Sequence, residues 1–151
     1  MSASDPRAIK LDATLDHVAL ARDFVAEIAA QVPMNRQEIH DLELVVTEAL
    51  TNVIEHAYEG KEDSQMELAV SHQEDRFTIV ISHDGAAFDP SAHADPVMQD
   101  YLAQRRVGGL GLFLIKKLMD QVEYTTNDQG KRLIKMVKRH NTGPLGPPET
   151  P

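Results

Sequence analysis

The stretch "ELVVTEALTNVIEHAY", Glu43 to Tyr58, decides how the rest of the chain is read. Ile39, Leu42, Val46, Ala49, Leu50, Val53 and Ala57 recur at spacings of three and four, which predicts a helix with one apolar stripe. Asp41, Glu48, Asn52 and Glu55 form a polar stripe on another side. Glu48 and Asn52 stand at i and i+4, so both project from one face toward one point. A carboxylate there can act as a general base, and an amide oxygen can ligate Mg²⁺, a hard cation that favours oxygen. Taken alone, the same stripe also fits a solvated helix face. The opposite side, however, is apolar enough to form the core, which sets Glu48 and Asn52 at the border of a cleft.

Working outward, Asn35 caps this helix, Glu38 completes a capping box, and Gly60 ends it. An earlier helix runs from about Leu15 to Val32, with Leu15, Val18, Ala21, Val25, Ile28 and Ala29 on one side. Asp12 or Thr14 caps it and Pro33 ends it. "AIKLDA" before it alternates as an edge strand would. Downstream, "MELAVSH" and "RFTIVISH" read as strands joined at "QED". An irregular segment follows from Gly85 to about Arg106, with a possible short helix from Pro96 to Gln104. "GGLGLFLIKKLM" is a glycine-rich turn entering a helix, and "QVEYTTND" with "KRLIKMVKR" forms a closing hairpin turned at "NDQG". This order predicts an α/β sandwich of the α+β class, a mostly antiparallel mixed sheet with helices packed on one face. A doubly wound parallel fold would need regular strand-helix alternation, which is absent. Residues 1–140 are expected to form one domain. Residues 141–151, "NTGPLGPPETP", are expected to be a flexible Pro/Gly-rich tail.

The 151 residues carry 15 basic and 24 acidic side chains, a formal net charge of −9. That balance argues against nucleic acid or an anionic membrane as partner, since both demand clustered positive charge. It allows a basic protein partner and, with local positive groups, a phosphorylated ligand. There is no cysteine, which excludes a disulfide scaffold and thiolate metal or redox chemistry. No apolar run reaches transmembrane length and "MSASDPRAIK" lacks a signal-peptide core, so a cytoplasmic location is expected.

Two further segments carry chemistry. In "ISHDGAAFDP", Ile81 to Pro90, a strand ends in His83 and Asp84, and Gly85 lets a flat ring approach the backbone. Either Asp84 or a neutral His83 can accept a hydrogen bond from an exocyclic amine, although a plain turn would look similar. In "RRVGGLGLFLIKK", Gly108, Gly109 and Gly111 precede a helix whose N-terminal amides suit phosphates. Arg105 and Arg106 lie just upstream, in reach of a terminal phosphate. The pattern is neither a Walker A motif nor the Rossmann spacing. A metal-dependent hydrolase on His83, Asp84, Asp89, His93 and Asp95 is a competing reading. It would need further histidines on helices, and His40, His56 and His72 show no matching arrangement.

The order of these segments resembles the Bergerat-type (GHKL, histidine kinase-like) ATPase fold, whose N, G1 and G2 boxes they look like. The resemblance covers nearly everything from Leu11 to Arg139. "FDP" followed by "GGLGLFLIKKLMDQVEY" resembles the RsbW-type anti-sigma regulatory factors. The resemblance implies a small cytoplasmic serine protein kinase using ATP and Mg²⁺. Such a kinase sequesters a sigma factor or another regulatory target and phosphorylates a serine on a STAS-domain anti-anti-sigma factor. It also implies a possible homodimer. Glu48 matches the catalytic base, Asn52 the Mg²⁺ ligand, Gly85 the G1 glycine, and Gly109 with Gly111 the phosphate-cradling glycines. Aligning Phe88-Asp89-Pro90 on the family's D-x-G-x-x-F-D-P places His83, not Asp84, at the adenine-binding aspartate. Ala87 replaces the second G1 glycine, and Lys131 with Arg132 stand where many relatives carry a threonine near the last strand.

Two function classes follow. One is an active kinase that also sequesters a partner, favoured by Glu48. The other is a catalytically weak or inactive binding module of the same fold, favoured by His83. With an ordinary imidazole, His83 would titrate near ~6.5 and lose its acceptor role below neutral pH.

Overall fold

The computed structural model describes residues 7–57, 64–85 and 114–140. Strand β1 (Arg7–Asp12) leads into helices α1 (Leu15–Ala29) and α2 (Arg36–Asn52), and a π-helical turn (Val53–Ala57) follows. Strands β2 (Gln65–Gln73) and β3 (Arg76–His83) come next, then a helical segment at 114–118, and finally β4 (Gln121–Thr126) and β5 (Arg132–Arg139). The five strands form one sheet in the order β1-β2-β3-β5-β4. Every pairing is antiparallel, so among the described residues the sheet is antiparallel throughout rather than mixed.

Local signals account for the helix ends. The Thr14 hydroxyl accepts from the His17 amide, making Thr14 rather than Asp12 the cap of α1. Asn35 and Glu38 form the reciprocal capping box of α2, with bonds of 2.8 and 2.9 Å. Three readings of the sequence are corrected. Helix α1 ends at Ala29, before the expected Val32. Leu15 is 70% exposed. It is in phase with Val18 and Ala21 but belongs to the capping turn, where the Asp12 amide donates to His17 Nδ1, and it stays outside the core. Helix α2 is α-helical only to Asn52, and the backbone then widens into the π turn Val53–Ala57; Tyr58 lies outside the described residues. Single π turns inside helices recur at functional sites.

The sheet alternates with period two, and register shows which residues share a face. Phe77, Ile79, Ile81 and His83 of β3 lie beside Lys138, Met136, Ile134 and Arg132 of β5. Met66, Leu68 and Val70 of β2 continue this face toward β1. Together with the buried residues of α1 and α2, plus Ile115 and Met119, they form one hydrophobic core. The first link between β2 and β3 is a tight turn with Glu74 at φ 56°, a left-handed position where a non-glycine residue is uncommon. The β4-β5 turn ends at Gly130, φ 81°, and Asn127 Oδ1 accepts from the amides of Gln129 and Lys131.

One buried polar contact orients α2. Lys138 Nζ lies 3.5 Å from Asp41 Oδ2 and donates to the Leu118 carbonyl at 3.0 Å. Gln37 donates to the other Asp41 oxygen at 2.9 Å. The polar stripe of α2 is thereby turned toward β5. From Asp41 to Asn52 the helix advances about 16 Å, and from Lys138 back to Arg132 the strand covers about 20 Å. Helix α2 also packs on α1 after a short connection, and α1 starts at the Asp12 end of the sheet, so α2 returns to that end. The C-terminal turn of α2 thus runs toward the sheet end marked by Met66, His83 and Arg132. At the opposite end His72 and His140 stack at 4.9 Å between ring centroids, with their Nε2 atoms 2.8 Å apart.

Removing Lys138 would leave the Asp41 carboxylate buried without its cation. Lys138→Met is expected to destabilise the fold by about 3 kcal/mol. Asp41→Asn, which keeps a partner for Gln37, is expected to destabilise it by about 1 kcal/mol. Urea unfolding of the two variants checks this order.

Candidate functional site

The sheet register puts His83 and Arg132 side by side at one end of the sheet, the end toward which α2, with Glu48 and Asn52 on one face, returns. Asn52 closes the regular part of α2 and is only 5% exposed. Glu48, one turn earlier on the same face, is half-buried. Burial raises its pKa, and the nearby Glu55 carboxylate raises it further. A carboxyl group in that state holds a proton more strongly than a solvated one, as a general base at neutral pH requires. The π turn that follows Asn52 carries Glu55 on its exposed side.

His83 ends β3 and is 2% exposed, facing the helices together with Phe77, Ile79 and Ile81. Asp84, the next residue, is exposed. The alternation of β3 thus separates the two: the imidazole lies on the helix side and the carboxylate toward solvent. Burial pushes the His83 pKa down to about 4, with Arg132 and then Lys131 adding to the effect and Asp84 opposing it. The expected titration near ~6.5 is therefore corrected. Desolvation and a cation across the strand pair disfavour a second positive charge, so His83 is neutral across the physiological range.

Arg132 is the residue that sequence reasoning undervalued. It pairs with His83 across β3 and β5 and shares its face. Its Nη1 lies 3.4 Å from Thr126 Oγ1, while its Nε is buried with no hydrogen-bond partner among the described residues. A signal was available: Arg132 is in phase with the buried Ile134 and Met136, so strand alternation puts it on the inner face. Asp41, by contrast, belongs to the expected polar stripe but is tied to Lys138 and Gln37, which makes it structural.

Gly85 is the last described residue after β3. Arg105, Arg106, Gly108, Gly109 and Gly111 lie outside the described residues, as do Asp89, His93 and Asp95. Among the described residues no group of three or more His, Asp or Glu side chains is placed to hold a metal ion. No helix among them is long and apolar enough to cross a membrane. The Asn52 amide and the Glu48 carboxylate are oxygen donors on one helix face, a set that suits Mg²⁺ completed by phosphate oxygens rather than an all-protein cage.

Comparison with known proteins identifies the family. Residues 11–138 match the model of the histidine kinase-like ATPase domain. A serine-protein kinase RsbW from Listeria innocua is 32% identical over 123 residues, covering 79% of this chain and 78% of the relative. The protein of the same name from Bacillus pumilus is 36% identical over 130 residues, covering 79% and 77%. Among solved structures, the RsbU and RsbW domains of a Mycobacterium tuberculosis protein superpose with a TM-score of 0.62 at 17% identity. That match covers 90% of this chain and 32% of the longer polypeptide. The SiaB–SiaC complex from Pseudomonas aeruginosa gives a TM-score of 0.56 at 16% identity, covering 87% and 88%. The fold is shared with both. With a carboxylate-amide pair on α2, a buried polar residue at the end of β3 and this set of relatives, the chain belongs to the histidine kinase-like ATPase family, in its RsbW-type branch.

Proposed function

We propose that this chain is a partner-switching serine protein kinase. It binds ATP with Mg²⁺ and transfers the γ-phosphoryl group to a serine of a STAS-domain antagonist. In its other state it sequesters a sigma factor or another regulatory target in the cytoplasm. The observation that carries this reading is the Glu48–Asn52 pair on one face of α2, with Asn52 buried and Glu48 partly desolvated. The net charge of −9 is in keeping with protein partners rather than nucleic acid or membrane.

Each residue has a defined task. Glu48 takes the proton from the attacking serine hydroxyl, and its raised pKa suits that transfer. Asn52 offers its amide oxygen to Mg²⁺, which when bound screens the charge of the phosphate oxygens. His83 faces the base from the end of β3, and Gly85 lets the ring approach the backbone. Gly108, Gly109 and Gly111 cradle the phosphates, with Arg105 and Arg106 reaching the terminal one. A second reading, a binding module acting by sequestration alone, is favoured by one observation: the helix-facing side chain at the end of β3 is an imidazole beside Arg132, not a carboxylate.

Glu48→Gln is expected to reduce phosphoryl transfer at least a hundredfold while leaving nucleotide affinity within a few-fold. The rate of the unmodified protein should fall as Glu48 becomes protonated, above the ordinary carboxylate range. Glu55→Gln removes one cause of the raised pKa, so this acid limb should move to lower pH. Initial rates against pH with a STAS-domain serine substrate check both, and an unchanged rate in Glu48→Gln would remove the residue from this role.

Nucleotide affinity should not respond to His83 between pH 8 and 5.5, beyond the titration of the phosphate itself. Loss should appear only as the pH approaches about 4, where a second N–H replaces the acceptor. Asp84→Asn should change affinity no more than a few-fold, since its carboxylate is on the exposed side. Calorimetric titrations across this range test the assignment. An additional fall centred between pH 6 and 7 would contradict a buried, neutral His83.

A further inference from the structure

The base end of the site carries an unusual balance of donors and acceptors. A carboxylate at the end of β3 would be acceptor-only and would match the exocyclic amine of adenine. His83 supplies one acceptor and one donor when neutral. Beside it, Arg132 supplies donors alone, and its buried Nε has no hydrogen-bond partner among the described residues. The register pairs the two residues directly, and both face the helices. Thr126, across from Arg132 on β4, lies 3.4 Å from Nη1. A buried donor without an acceptor is costly, so a ligand that brings an acceptor gains more here than one that brings another donor.

The purines differ at this point. Adenine presents an amine at its 6-position, which would set donor against donor at Arg132. Guanine and hypoxanthine present a 6-oxo group, and with N7 it forms the acceptor pair that an arginine fork matches. We propose that the site reads an acceptor at the purine 6-position through Arg132, so that guanine nucleotides bind at least as tightly as adenine nucleotides. This inference rests on the reading of His83 as the base-facing residue and refines the choice of phosphoryl donor. Arg132 is thereby a specificity-determining residue, separate from Glu48 and Asn52, which act at the phosphate end.

The test is calorimetric titration of the full chain with ATP, GTP and ITP, each with Mg²⁺, at pH 7.5. ITP carries the 6-oxo group without the 2-amine of guanine and so isolates the group in question. GTP and ITP are expected to bind at least as tightly as ATP. Arg132→Thr should weaken GTP and ITP by about tenfold and leave ATP within a few-fold. The double variant His83→Asp with Arg132→Thr should put ATP first. Should Arg132→Thr fail to fold, Arg132→Gln, with one donor and one acceptor end, is expected to bring the GTP:ATP ratio near one. ATP binding about tenfold tighter than both 6-oxo nucleotides, or a ratio unmoved by the Arg132 variants, would overturn the inference and leave the kinase reading standing. If none of the three nucleotides binds the unmodified protein, both fall.

Discussion

The buried ion pair between Lys138 and Asp41 sets the rotation of α2 about its axis, and the site inherits its geometry from that rotation. An amphipathic helix on a sheet could turn by tens of degrees and still bury much of its apolar stripe. A charge pair with both side chains nearly enclosed cannot, because any turn that separates it leaves two desolvated charges. Lys138 also caps the Leu118 carbonyl, so the same ammonium ties α2, β5 and the segment entering β4. With Asp41 fixed over β5, helical spacing carries Glu48 and Asn52 along the same side to the far end. There the π turn ends the regular helix just after Asn52.

Electrostatics at that end follow from burial. Desolvation moves Glu48 up and His83 down, in each case favouring the neutral form. The two groups thus acquire different duties from one cause. Glu48 becomes a stronger proton acceptor, as the proposed role of general base requires. His83 becomes a ring that is neutral at physiological pH, as its proposed place beside the base requires. Arg132, paired with it across β3 and β5, supplies the positive character that a carboxylate at the end of β3 would have offset.

Much of this was legible in the sequence. The stripe of α2, the capping box at Asn35 and Glu38, the two hairpins and the order of elements all follow from local periodicity and turn chemistry. The choice of His83 over Asp84 came instead from the family resemblance, through the alignment on Phe88-Asp89-Pro90, and the burial of His83 beside an exposed Asp84 agrees with it. What local signals could not supply came from contacts distant in the chain. The neighbourhood of His83 and Arg132 exists only through β3-β5 pairing, so the lowered imidazole pKa was invisible to a reading based on ordinary values. Asp41 looked equivalent to Glu48 until Lys138 was seen to reach it. Leu15 matched the apolar phase of α1, but phase alone does not say where a helix overhangs its core.

A nucleotide site at the sandwich end carrying His83 and Arg132, with Asn52 at the phosphate side, is the proposal on which the rest depends. The most direct measurement is backbone amide NMR of the isotope-labelled chain during titration with a non-hydrolysable triphosphate analogue and Mg²⁺. Saturable shifts are expected to concentrate at Asn52, His83, Gly85 and Arg132, with the opposite end around His72 and His140 quiet. No saturable shift at those four residues, or a response centred on the His72–His140 end, would contradict it.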